Sequence, residues 1–188
     1  VIPLSTIVIT ERSQGTLARL KTMGLPAWQL FLGKFGPFFL INQVQAVLMG
    51  LVGIHLVPLF GGDALRVGES WGGLSLMTVA VSSAAIAYAL LIAVLVRTTE
   101  QATTLGGLSN ILFGALGGIM VPKFVMPDFM QELTAFSPMA WGLEGYLKLF
   151  LRGGDLVSVL PQAGALLGFA LAAGSLAVFL FQRRGVAA

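Results

Sequence analysis

LSLMTVAVSSAAIAYALLIAVLV, Leu74–Val96, is a run of 23 residues without one charge. A helix needs about 20 mainly apolar residues to cross roughly 30 Å of hydrocarbon, so this run alone puts the chain in a membrane. Stretches of similar length and apolarity lie at Phe35–Phe60, Ala102–Val121 and Leu156–Phe181. With their flanks they predict membrane helices over 27–60, 71–96, 102–121 and 156–182. Val1–Thr10 is apolar but too short to cross. It is read as the end of a membrane helix, 1–9, whose first half precedes this sequence, which makes the chain a C-terminal fragment. The expected fold is all-α: one transmembrane domain over 1–188, a polytopic membrane helical bundle.

Composition agrees. Mean hydropathy is +0.91, and 10% of residues are charged against about 25% in a soluble domain. No cysteine is present, which removes disulfides and thiolate metal sites. The pI of 9.7 reflects a net charge of only +3. The basic residues flank the apolar runs, where anionic lipid is their natural neighbour. No basic stripe points to nucleic acid.

Alternating crossings put 10–34, 97–101 and 182–188 on one side. That side carries Arg12, Arg19, Lys21, Lys34, Arg97, Arg183 and Arg184, against Arg66, Lys123, Lys148 and Arg152 on the other. The positive-inside rule makes the first side cytoplasmic and puts Trp28 and Trp71 near opposite interfaces. Gly24 suits a helix stop and Pro26 the first turn of the next helix, in which Pro37 predicts a break or kink. Arg97–Gln101 reads as a tight turn. The segment 122–155 is too polar to span, yet Phe124, Phe129, Phe136, Trp141 and Phe150 make it too apolar for open water. Two amphipathic helices of about three turns fit it, the second capped by Ser137, opened by Pro138 and ended by Gly153-Gly154. Glu144, Lys148 and Arg152, spaced by four, predict ion pairs along one face.

Between the first two membrane segments stands Glu11-Arg12-Ser13-Gln14-Gly15-Thr16-Leu17-Ala18-Arg19-Leu20. A short rigid helix here could transmit force from a cytoplasmic partner. Gly15 permits a sharp turn, Leu17 and Leu20 can fill a groove, and Arg12 and Arg19 can meet carboxylates. E-R-x-x-G-T-L-x-R-L after a membrane helix resembles the coupling-helix signature of ABC-2 type transporter permeases, and Leu32-Gly33-Lys34 resembles the start of that family's next helix. Gly117–Pro122, Met126-Pro127 and Phe136-Ser137-Pro138-Met139 resemble its re-entrant loop. The resemblance covers essentially the whole chain. It implies a cytoplasmic coupling helix over 10–24, with Glu11, Arg12, Gly15, Thr16, Leu17, Arg19 and Leu20 as coupling residues. It also implies outer re-entrant helices over 123–154, with Pro127, Ser137, Pro138, Trp141 and Glu144 at an outer gate. The implied function is that of an exporter's permease subunit in the bacterial inner (plasma) membrane. Its implied partners are a cytosolic ABC ATPase subunit, carrying ATP and Mg, and a second permease copy or paralogue.

The chain itself holds no P-loop. At Gly33-Lys34 the leading glycine is replaced by Trp28 and the hydroxyl residue by Phe35, so phosphate has no cradle. The apolar runs contain no Asp, Glu or Cys, and His55 is alone. Intramembrane acid–base chemistry and a metal site therefore lack their residues. Asn42 and Gln45, three apart, are candidates for a substrate path, with Gln43 on a different face. Ser75, Thr78 and Ser82 form a polar stripe that reads as packing. Gly114-x-x-x-Gly118 and Gly164-x-x-x-Gly168 predict close helix approaches. The alternative function is an ATP-independent carrier or channel, which would normally keep ionisable residues at the midplane.

Overall fold

The computed structural model describes residues 2–16, 19–20, 23–24, 26–62 and 70–184, which are helical and turn structure without a strand. Helix α1 covers Ile2–Ser13. Helix α2 covers Ala27–Leu51 and continues through a π-helical turn, Val52–Leu56, into a last short turn, α3, Val57–Leu59. Then come α4 (Trp71–Leu95), α5 (Thr99–Leu116), a 3-10 turn at Lys123–Val125, α6 (Asp128–Thr134), α7 (Pro138–Leu151) and α8 (Leu156–Arg184).

Helix α4 is the hub. Its first half, at Met77, Ala80 and Ala84, packs on Leu149 of α7 and on Val159, Ala163 and Leu166 of α8. Its second half, Ile86 to Val94, packs on Leu4 and Val8 of α1, Phe31 of α2 and Ala177 of α8. Helices α4 and α8 therefore run parallel, start to start and end to end. Ile9 of α1 meets Ile92, Val96 and Ala102, which places the end of α1 beside the α4–α5 turn. That turn is closed by two reciprocal bonds, a variant of the capping box. Thr98 Oγ1, at the N-cap, accepts from the Gln101 N–H at 3.2 Å, and Gln101 Oε1 accepts from the N–H of Arg97, one residue earlier, at 3.0 Å.

Among the described residues three helices, not four, are long and apolar enough to cross a membrane: Trp28–Leu59, Trp71–Leu95 and Leu156–Arg183. The expected span 102–121 is shorter. Helix α5 stops at Leu116 because Gly118 turns into the left-handed region (φ +82°). The Ile119 N–H then closes back on Gly114 O at 3.1 Å. At 18 residues, α5 rises about 27 Å, against about 37 Å for α4. The hairpin α6–α7 occupies the difference. Gly142, Gly145 and Gly73 lie against Val81, Met77 and Leu149 respectively, so α7 returns antiparallel along α4. Pro138 thus starts deep, near the level of Ala84 and Ala85.

Other local expectations shift as well. Helix α2 runs unbroken through Pro37. It is Pro58 that perturbs the helix: without an N–H it cannot bond back to Ile54, and the turn ahead of it widens, the Val57 N–H reaching Val52 O. Pro26 is the extended N-cap of α2 rather than part of its first turn. Helix α6 has two turns, not three, because Ser137, preceding Pro138, is held extended (φ −88°, ψ 120°). Most of the loop 61–70, with Asp63, Arg66 and Glu69, lies outside the described residues.

The glycine pairs also divide differently. A Cβ on Gly117 would sit 3.0 Å from Met139 Cβ and 3.1 Å from Ala140 N, whereas Gly164 and Gly168 face open space. The close approach is therefore α5 against α7 at Gly117. Gly117→Ala should lower the thermal unfolding temperature of the detergent-purified protein through an overpacking cost of about 1–3 kcal/mol. Gly164→Ala should leave it unchanged or slightly higher, since alanine is the better helix former by about 1 kcal/mol. Equal effects at the two positions would contradict this assignment.

Candidate functional site

The first region of interest is the connection from α1 to α2. Glu11 and Arg12 do not begin a separate helix; they form the last turn of α1, which ends at Ser13. Gly15, at φ +73°, is the break, a conformation that costs other L-residues roughly 1–2 kcal/mol. Helical conformation resumes at Thr16, Arg19 and Leu20, with the Arg19 N–H donating to Gly15 O at 3.1 Å and the Met23 N–H to Arg19 O at 3.2 Å. Leu17 and Lys21 lie outside the described residues. Thr16 and Arg19 are exposed, Arg12 and Leu20 half-buried.

Glu11 is half-buried. Its carboxylate pairs with the ammonium of Lys34 on α2, both side chains less than a third exposed. The neighbouring core, Val8 and Phe31 with Leu90 of α4, excludes water from one side of the pair. The three helices that meet the connection are thus fastened together just inside it.

The second region is a cavity of about 530 Å³ between α2, α4 and α7. Its apolar wall includes Val47, Met49, Trp71, Leu74 and Phe150, and its polar atoms come from Gln43, Ser75, Thr78 and Tyr146. Gln43 Nε2 donates to Ser82 Oγ at 3.1 Å. Thr78 Oγ1 donates to Leu74 O at 2.8 Å and lies 3.3 Å from Tyr146 Oη. Ser75 is satisfied by Trp71 O at 2.9 Å. The stripe Ser75–Thr78–Ser82 therefore binds helices together and also supplies polar atoms to a cavity wall. Asn42 and Gln45 do not line this cavity; Gln45 is exposed and Asn42 half-buried. The inward amide is Gln43. His55 is exposed on the π turn, and no cluster of three metal-ligating side chains occurs among the described residues.

The third region is the α6–α7 corner. Pro127 precedes α6 as its N-cap. Ser137 is buried at the N-cap of α7, yet its hydroxyl does not cap that helix; it donates to Phe113 O of α5 at 3.1 Å. Pro138 occupies the first turn. Trp141 Nε1–H donates to Ala135 O at 2.8 Å, closing the corner from within. Ser137, Pro138 and Trp141 are thus brought together, whereas Glu144 stands further along α7. The ion-pair ladder Glu144–Lys148–Arg152 is absent: among the described residues the ion pair is Glu11–Lys34. Lys148 instead donates to Ser158 O of α8 at 3.2 Å, a carbonyl that the turn at Gly153 (φ +60°) brings within its reach.

The Glu11–Lys34 pair gives a direct test. In a double-mutant cycle with Glu11→Gln and Lys34→Met, thermal unfolding should yield a coupling on the order of 1 kcal/mol, the upper end for partly exposed pairs. Additive single effects would mean that the pair does not brace the connection.

Comparison with known proteins follows this architecture. The chain matches the family described as ABC-2 family transporter protein over residues 1–179. It is 28% identical over 166 residues to the linearmycin resistance permease protein LnrN of Bacillus subtilis, covering 87% of this chain and 40% of that protein. It is 29% identical over 187 residues to YbhR of Escherichia coli, named a probable multidrug ABC transporter permease, covering 97% of this chain and 48% of that protein. The chain therefore spans less than half the length of these relatives. No solved structure matches it. With the family model covering nearly its whole length, the chain belongs to the ABC-2 family of transporter proteins, as a membrane component.

Proposed function

We propose that this chain is the membrane permease part of an ATP-driven exporter in a bacterial inner membrane, working as a dimer with the substrate path between protomers. ATP and Mg are bound on a separate cytosolic ATPase subunit. That subunit engages the segment after Gly15, helical at Thr16, Arg19 and Leu20, through these residues and Leu17. Glu11 acts from within, by holding α1 to Lys34 of α2, so that a push on the segment moves helices instead of bending a loop. This bracing is the observation that carries the reading. The excess of Lys and Arg on that side supports its cytoplasmic placement.

The exported class is apolar or amphipathic and uncharged. The α2–α4–α7 cavity offers aromatic and aliphatic walls with hydroxyl and amide groups and no charge, and the printed names of both relatives concern drugs or an antibiotic resistance. Gln43 and Thr78 face this route more directly than Asn42 and Gln45. The hairpin α6–α7, cornered at Ser137, Pro138 and Trp141, dips into the outer leaflet and serves as the outer gate.

Full-length protein should co-purify with the ATPase encoded beside it. The change Gly15→Pro with Arg19→Glu should reduce the retained ATPase by about tenfold or more, because proline's φ near −65° cannot replace +73°. Arg19→Glu alone, with its unfolding temperature unchanged, should still weaken association severalfold. Wild-type protein that retains none of the candidate ATPases would overturn the reading and favour an ATP-independent carrier.

A further inference from the structure

A second cavity lies on the same face of α7 as the one described above, nearer the start of that helix. It measures about 390 Å³ and sits between α4, α5, α7 and α8, with Tyr88, Phe113, Met139, Leu143, Leu166 and Phe169 among its walls. That volume is within the usual range of small-molecule sites, about 300–1,000 Å³. We propose that it binds one uncharged apolar molecule carrying a single hydrogen-bonding group, separately from the α2–α4–α7 route.

Among the described residues no charged side chain lines the cavity, so an ion entering it would lose its hydration without a counter-charge. The rings of Tyr88, Phe113 and Phe169 form one continuous aromatic wall, with centroid separations of 5.5 Å and 6.3 Å from Tyr88. Asn110 enters from α5. Its carboxamide has no hydrogen-bond partner among the described residues, and in apolar surroundings such a group gains by pairing with a ligand's hydroxyl, amide or carbonyl. An aromatic wall with the Asn110 amide set in it, and the Tyr88 phenol nearby, selects an alkyl or aryl body whose polar group meets Asn110. Among the described residues Tyr146 is the only one shared by the linings of the two cavities. Its hydroxyl is held by Thr78 of the first cavity, so the ring is a common wall and either occupant fixes the surface that the other meets.

Two sources offer this chemistry: the acyl region of a membrane lipid, and a small amphiphile. The test is photolabelling of the full-length protein with 4-(trifluoromethyldiazirinyl)benzyl alcohol, competed by light-inert 4-(trifluoromethyl)benzyl alcohol, in detergent and in phosphatidylcholine nanodiscs. It uses neither ATP nor the ATPase, so its outcome is independent of the exporter reading. In detergent, saturable and competable labelling is expected on peptides containing Asn110–Phe113 and Met139–Tyr146. Ala85→Trp, which fills the cavity from α4, should cut it by about tenfold or more, and Asn110→Leu should weaken it by about three- to tenfold. Leu171→Ala, on the exposed face of α8, should change nothing. Labelling that persists in nanodiscs identifies a small amphiphile as the occupant; labelling suppressed there identifies a phospholipid chain. Either supports the site. Labelling that rises linearly, resists competition and matches that around Leu171 would overturn it. So would wild-type labelling in a folded Asn110→Leu variant, which keeps the test decisive if Ala85→Trp misfolds.

Discussion

Alanines at 80, 84 and 87 are buried along one face of α4, and α8 meets that face with Ala163 and with Gly174, where an added Cβ would be in ordinary contact, 3.9 Å from Ala87 Cβ. In lipid there is little hydrophobic gain from pressing two apolar helices together, so association depends on dispersion contact, and small side chains make that contact intimate. The parallel seam between α4 and α8 is the constraint from which the other placements follow. Over half of the apolar window of α4 is buried, none of that of α2. Helices α1, α2, α5 and α7 are arranged by which part of this seam they meet.

A second consequence comes from the shortness of α5. A helix that stops at Leu116 leaves backbone groups to satisfy at membrane depth, where water is unavailable. The chain solves this locally. Gly118 turns so that the Ile119 and Met120 N–H groups return to Gly114 O at 3.1 and 3.3 Å. The Ser137 hydroxyl then donates to Phe113 O from across the hairpin. The same short helix makes room for α7 beside α4. Two cavities open at successive levels along α7, one reaching α2 and the other α5 and α8, with Tyr146 in both linings.

Much of the architecture was legible because apolar length is a strong signal. Leu74–Val96 needs only its lack of charge to be placed, and Gly117-Gly118 and Ser137-Pro138 mark real breaks. The end of α5 was misread since Gly117–Val121 remains apolar; hydropathy does not register a positive φ. The coupling motif that contains Glu11 gives no sign of its partner Lys34, 23 positions away, beyond any local pattern. Among the amides, helical position could separate Gln43 from Asn42 and Gln45 but not say which face is inward, because α2 is apolar on every side. Tyr146 carried no signal of its own. Its importance lies in having Thr78 opposite, a contact between residues 68 apart.

The exposed face of α2 follows from the same reasoning. Leu40, Ile41, Val44, Val47 and Leu48 are each more than half exposed, while Gln43, on the same helix, is tied to Ser82. A helix held at its start by Phe31 and Lys34 and at mid-length by one amide is anchored along a line, not over a surface. Such a helix can swing about that line with little loss of contact, whereas α4 and α8 cannot separate without opening their whole seam. If force enters after Gly15, as proposed, the Glu11–Lys34 pair delivers it to the start of the least-encased helix. The cavity bounded by Gln43 and Thr78 would then change shape first, because α2 forms its movable wall and α4 its fixed one.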